Sequence, residues 1–374
     1  MLLTGNCRGN PPFLCTTCVV LLLTLSPPVE ARVTGQCANC HTMHNSQNGA
    51  ALARTGDGIH WGSGNQLTGG VISATAWDNL LVSSCVGCHS SSTADSIVTV
   101  NGSVIPIVFN TTGYPDHPLA GGNFYHVSQG GGENDVFGHN VEGIAEPDSN
   151  LEIVPGQEIG GNSTLAISDC LACHLPGMSG VPGIPFTIPR SGNVLICQDC
   201  HTVPNHHADD SATVVGEDGG WYRFLFDVKG IEDDDWEKTI SATDHNEYQG
   251  GAFNSVSRWG CGCHSQFHAL ANPGGVGVAS PWLRHPVDVI LPDAGEYAAY
   301  TQYSPEAPVA RPDLTGYSGP SSTVTPGTDM VMCLSCHRPH GSPYKDILRW
   351  DYDEMIAGDS SKSGGCFTCH SHKN

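Results

Sequence analysis

Seven times along a chain of 374 residues, two closely spaced cysteines are followed at once by a histidine. The triplets are Cys37/Cys40/His41, Cys85/Cys88/His89, Cys170/Cys173/His174, Cys197/Cys200/His201, Cys261/Cys263/His264, Cys333/Cys336/His337 and Cys366/Cys369/His370. An even set of cysteines in an exported chain can read as a disulfide framework, and cysteine pairs also hold structural zinc. Neither explains a histidine in register after every pair. Cys-x-x-Cys-His is the attachment sequence of c-type haem, in which two thioethers fix the porphyrin edge and the adjacent imidazole binds iron. The pattern implies seven haem c groups and a chain that must fold around seven large apolar discs.

One triplet departs from the rule. In "RWGCGCHSQFH" a single residue separates Cys261 from Cys263, which makes two unstrained thioethers hard to form. A haem is still expected there, because His264 and the nearby His268 keep the surrounding pattern, with attachment through Cys263 alone as an alternative.

The triplets start 48, 85, 27, 64, 72 and 33 residues apart, so no single module repeats in tandem. Between them run tracts rich in Gly, Pro, Asn and Ser, which read as turns and loops. So loop-rich a chain buries too little apolar area of its own to offset the entropy of ordering it; the haems supply what is missing. The expected fold is mostly irregular coil, with few short helices and small hairpins wrapped round a chain of stacked haems. "YKDILRWDYDEMIAG" (Tyr344–Gly358) is the best helix candidate and "DSIVTVNGSVIPIVF" (Asp95–Phe109) the best hairpin. Residues 32–374 are expected to form one haem-cored body, with a weak boundary near 205–220. The acidic run "IEDDDWE" (Ile231–Glu237) reads as a solvated face rather than a calcium loop, because it lacks the glycine-spaced pattern.

Residues 1–31 read as a secretory signal, with an apolar run at Phe13–Leu25 and a small-residue cleavage site at "VEA", so the mature chain is expected to begin at Arg32. That run falls short of the ~20 residues a membrane span needs. Cys7, Cys15 and Cys18 leave with the signal, and the remaining fourteen cysteines all lie in the seven triplets. The formal net charge of −22 argues against nucleic acid or anionic lipid as partners.

Nineteen histidines are present, and twelve lie outside the triplets. After removal of the signal only Met43, Met178, Met330, Met332 and Met355 remain as alternative axial ligands, so bis-histidine ligation is the expectation. It closes both faces of each iron and leaves no open site for a substrate, so the chain reads as an electron carrier rather than an enzyme. The expected second ligands are His44, His139, His207 (or its neighbour His206), His245, His268, His285 and His340, with His126 in reserve; His60, His117 and His372 read as surface residues. His44 stands three residues after His41. On a helical turn that is a rise of only about 4.5 Å, so it cannot reach round the macrocycle to the far face of the same iron. It is either idle or serves another haem.

"CANCHTMHNS", "SRWGCGCHSQFH…LRHP" and "CLSCHRPH…CFTCH" resemble the extracellular multihaem cytochromes of metal-reducing bacteria that polymerise into conductive filaments. The likeness covers the N-terminal haem segment and roughly residues 255–374, with "GHNV" between them. It implies a secreted or cell-surface subunit in a head-to-tail polymer of identical copies, exchanging electrons with other cytochromes and extracellular metal oxides. It also implies that His44 ligates a haem of the next subunit, for which the haem on Cys333/Cys336 is the expected recipient. A monomeric periplasmic or cell-surface shuttle is the alternative. A multihaem reductase fits least, since no triplet carries the Lys-for-His variant that often marks an open iron.

Overall fold

The computed structural model describes residues 33–75, 80–151, 155, 194–201, 206–208, 211–216, 222–225, 228–251, 255–257, 264, 267 and 285–374. The signal segment, Cys170, Cys173, His174, Cys261, Cys263 and His268 lie outside them.

Regular structure is short everywhere. The expected hairpin forms from Ile97–Val100 and Ser103–Pro106, paired antiparallel with Val98 opposite Ile105. Asn101 (φ 45°) and Gly102 (φ 84°) make its two-residue turn, and an Asn-Gly pair tolerates the left-handed conformation at both positions. Val98, Val100 and Ile105 fall on one face and pack with Trp61 and Ile107.

Two further sheets organise the chain. Phe109–Asn110, Ser90–Ser91, His60–Trp61 and Leu67–Thr68 lie side by side in that order, the first three mutually parallel. In the second half the order is Gly230–Ile231, Glu247–Gln249, Ala310–Arg311, Met330–Val331, Val289–Ile290. Only the pairing of Glu247–Gln249 with Ala310–Arg311 is parallel there. Apolar burial among the described residues is divided into small clusters: one under this second sheet (Val215, Tyr222, Val228, Tyr248, Met330, Met332), one around Tyr300 and Tyr303, and one around Phe124, Val127 and Val141. No helix among the described residues is long and apolar enough to cross a membrane.

The helix expected over Tyr344–Gly358 does not form. Lys345–Ile347 and Tyr352–Glu354 are separate 3-10 turns, and Asp346 and Ile347 have φ of 57° and 52°. Tertiary bonds outweigh the helical pattern. The Asp346 carbonyl is taken up by His337, and Arg349 donates to the carbonyls of Leu334 and Pro305. In the acidic run, Asp233 accepts from the backbone N–H of Asp235 and Glu237, so it caps its own turn. Among the described residues no group of three or more His, Cys, Asp or Glu is placed to hold a metal ion.

Candidate haem-binding sites

The attachment motifs fold as single helical turns. Cys85–Cys88 and Cys197–Cys200 are α-helical; Cys37–Asn39, Cys333–Ser335 and Gly365–Thr368 are 3-10. In each, the histidine N–H donates back to the carbonyl of the first cysteine, at 2.8 Å for His41, His89 and His201, 3.1 Å for His337 and 3.0 Å for His370. That i to i+4 bond closes one turn, and residues i, i+3 and i+4 share a helix face. Two sulfurs and one imidazole therefore converge. The spacing of the motif is the geometry of the site.

Across from most motif histidines stands a second imidazole. His41 faces His207 with ring centroids 6.1 Å apart, His89 faces His206 at 6.1 Å, and both pairs are tilted by only 17°. His201 faces His340 at 6.1 Å, His264 faces His139 at 6.2 Å, and His370 faces His285 at 6.3 Å. A metal–nitrogen bond is about 2 Å and an imidazole centroid lies about 1.1 Å beyond its nitrogen, so two imidazoles sharing one metal have centroids about 6.2 Å apart. The five separations fit a metal held between the rings and are too wide for direct stacking.

The rings are also oriented for that task. A ligating imidazole usually donates its other N–H to a fixed acceptor, which sets tautomer and direction. Nδ1 pairs with a backbone carbonyl in His89 (Pro106, 2.8 Å), His139 (Pro339, 2.6 Å), His201 (Arg223, 3.1 Å), His264 (Pro155, 2.8 Å), His285 (Pro286, 3.1 Å) and His337 (Asp346, 2.8 Å). His370 pairs with a carboxylate oxygen of Glu296 at 3.2 Å. Nδ1 of His41 and of His340 is buried with no partner among the described residues. Burial, reinforced by His201, His139 and His89, pushes His340 down to about 3; burial with His89, His207 and His41 pushes His206 down to about 4. At neutral pH these rings are uncharged and keep a lone pair for a metal.

The attachment turns adjoin one another. Cys88 is raised to about 12 by burial and then by Cys40 and Cys85. A hydrogen bond with Cys197 lowers Cys85 to about 7. Burial, followed by Cys369 and Cys366, raises Cys336 to about 12. The first motif thus neighbours the second, the second the fourth, and the sixth the seventh. Cys333 is disulfide-bonded.

Three histidines are placed differently. His337 is a motif histidine that faces no imidazole among the described residues, and His44 is exposed, with φ 53°. His245 is 1% exposed and sits in a polar cluster: its ring stacks on Tyr303 at 3.5 Å, Nδ1 pairs with the Ser241 carbonyl, and Nε2 lies 3.5 Å from Glu247. It faces no motif histidine among the described residues. His126 is ringed by Tyr114, Tyr125 and Phe137. His60 is half-buried in a strand rather than at the surface. Met330 and Met332 are core residues. His206 and His207, alternatives in the sequence, each face a motif histidine.

Repeated Cys-x-x-Cys-His turns and imidazoles set opposite them at metal-sharing distance define a multihaem c-type cytochrome with covalently bound haem c. The family model described as "Doubled CXXCH motif" matches residues 325–374. Over 400 aligned residues the sequence is 24% identical to the C-type cytochrome OmcS of Geobacter sulfurreducens, covering 91% of this chain and 85% of that one. Two solved structures from the same organism share the fold. The outer membrane cytochrome S filament superposes with a TM-score of 0.51 at 19% identity, over 88% of each chain. The OmcS nanowires, determined by cryo-EM, give 0.50 at 19% identity over 90% of this chain and 88% of theirs. The coil-rich fold, with its few short helices and small sheets, is that of an OmcS-like multihaem cytochrome.

Proposed function

We propose that this protein is an exported heptahaem electron conduit that polymerises head to tail outside the cell. The motif cysteines and histidines would hold haems that supply one-electron exchange, and the facing histidines would complete the coordination of the iron. The observation that carries the reading is the combination of five facing imidazole pairs with one motif histidine, His337, that faces no ring among the described residues, while His44 is exposed. His44 of a neighbouring copy supplies the missing ligand. In this reading the distal ligands are His207, His206, His340, His139 and His285 for the motifs ending in His41, His89, His201, His264 and His370; His245 leaves the set. Cys333 then carries a thioether in place of its disulfide. The mature chain from Arg32 forms one haem-cored body, and closed axial positions suit transfer to other cytochromes or metal oxides rather than substrate turnover.

Electron cryomicroscopy of the secreted material, paired with intact mass, tests this. Filaments whose subunit mass exceeds the mature polypeptide by seven haems are expected; discrete monomers would leave a soluble shuttle as the function. The ligand pairing has its own check. His207→Ala is expected to open the haem on Cys37/Cys40, and His206→Ala the one on Cys85/Cys88, each giving a single high-spin haem that binds CO. If either variant opens both haems or neither, the one-to-one pairing fails.

A further inference from the structure

Eight imidazoles have a hydrogen-bonded Nδ1 whose partner lies among the described residues, and at seven of them the acceptor is a backbone carbonyl. The eighth is His370, whose acceptor is Oε1 of Glu296 at 3.2 Å. Glu296 lies in the 3-10 turn Gly295–Ala299, and its side chain is 13% exposed. Its other oxygen, Oε2, is buried and has no hydrogen-bond partner among the described residues; His370 is the strongest partner of the carboxylate, with Lys373 and His372 acting more weakly on its charge. The contact is braced from two sides. Ser371 Oγ donates to the Glu296 carbonyl at 2.6 Å, and the edge of Tyr297 meets the His370 ring at 5.1 Å.

A carbonyl oxygen orients an imidazole N–H; a carboxylate also pulls on its proton and adds a full negative charge nearby. Both effects make the ring a stronger donor and favour the more positive state of whatever metal it binds. We propose that Glu296 is a redox-tuning residue, which acts through His370 to hold the haem on Cys366/Cys369 at a lower reduction potential than a carbonyl-oriented histidine would give. The inference rests on the ligand reading of His370. At the opposite extreme, His41 and His340 have a buried Nδ1 with no acceptor among the described residues. Among the described motifs the low step in potential then falls at the seventh.

The test is Glu296→Gln in the full-length secreted protein. Glutamine keeps the size and an accepting oxygen but removes the charge. Haem content by mass, the low-spin spectrum and assembly should match the native protein, whereas in a redox titration one haem's share of the amplitude should move to higher potential. A titration that superimposes on the native curve, or moves the other way, overturns the assignment and leaves Glu296 a brace. His370→Ala is the separate arm: it should open one haem to CO. Failure there removes the ligand reading itself, independently of what Glu296→Gln shows.

Discussion

His44→Ala should abolish or severely shorten filaments while the secreted monomer persists with all its haems. The attachment turns are untouched by the change, so covalent haem content is expected to stay at the native value. What is lost is a coordination bond across every junction. A weakness repeated at each contact limits polymer length multiplicatively, because an open head-to-tail arrangement has no closure to compensate it. The haem on Cys333/Cys336 would be left without a sixth ligand, since His337 faces no imidazole among the described residues. Electron micrographs and the visible spectrum together decide the matter: short or absent polymer with one high-spin haem per subunit is the expected result. Normal filaments in which every haem stays low-spin would make His44 a bystander.

The second large effect is on stability. Arg311 is 1% exposed and spans two strands of the second sheet. Its Nε donates to Glu247 at 2.9 Å, Nη2 to the other oxygen of Glu247 at 3.2 Å and to the Ser321 carbonyl at 3.2 Å, and Nη1 to Asp329. Glu247 and Asp329 are themselves buried, so the guanidinium holds two carboxylates that water cannot reach. Arg311→Met keeps the volume but strands both. The cost expected for breaking a buried pair from one side is about 3–5 kcal/mol. Arg311→Lys should fall between, because an ammonium keeps the charge but not the planar fork. The contrast is Lys362→Ala, which breaks an exposed pair with Glu354 (side chains 38% and 56% exposed) and should leave stability nearly unchanged, because solvent screens the pair. Denaturant unfolding followed by circular dichroism compares the three; equal stability for Arg311→Met and the native chain would show that the cluster does not support the fold.

Local chemistry was the legible part of this sequence. A cysteine pair with histidine in the next position dictates one helical turn, and the five described motifs with both cysteines placed adopt it. The Asn101-Gly102 turn was legible for the same reason, since two adjacent residues decide it. Partnership across the fold was not. Nothing in "GHNV" says that His139 stands opposite His264, about a third of the chain away, because that contact depends on how loops of low intrinsic preference are laid over one another. His245 looks like any loop histidine in sequence, yet it stacks on Tyr303 beside Glu247. Tyr344–Gly358 failed as a helix because its Asp346 carbonyl and its Arg349 side chain are claimed by His337, Leu334 and Pro305, outside the segment but close in space. Glu296 carries no motif at all; its meaning comes only from the imidazole it touches.

If His44 of one copy completes the haem held by His337 of the next, a consequence follows for any stack of such copies. Its two tips cannot be chemically alike. One presents a spare imidazole with no iron to bind, and the other presents an iron with one face bare. The wire is therefore directional as an object, even though every repeat within it is the same. A small exogenous ligand such as cyanide or free imidazole would seal the bare-iron tip and leave the other untouched. Growth, capping and the hand-over of electrons to an outside acceptor then need not occur at the same end.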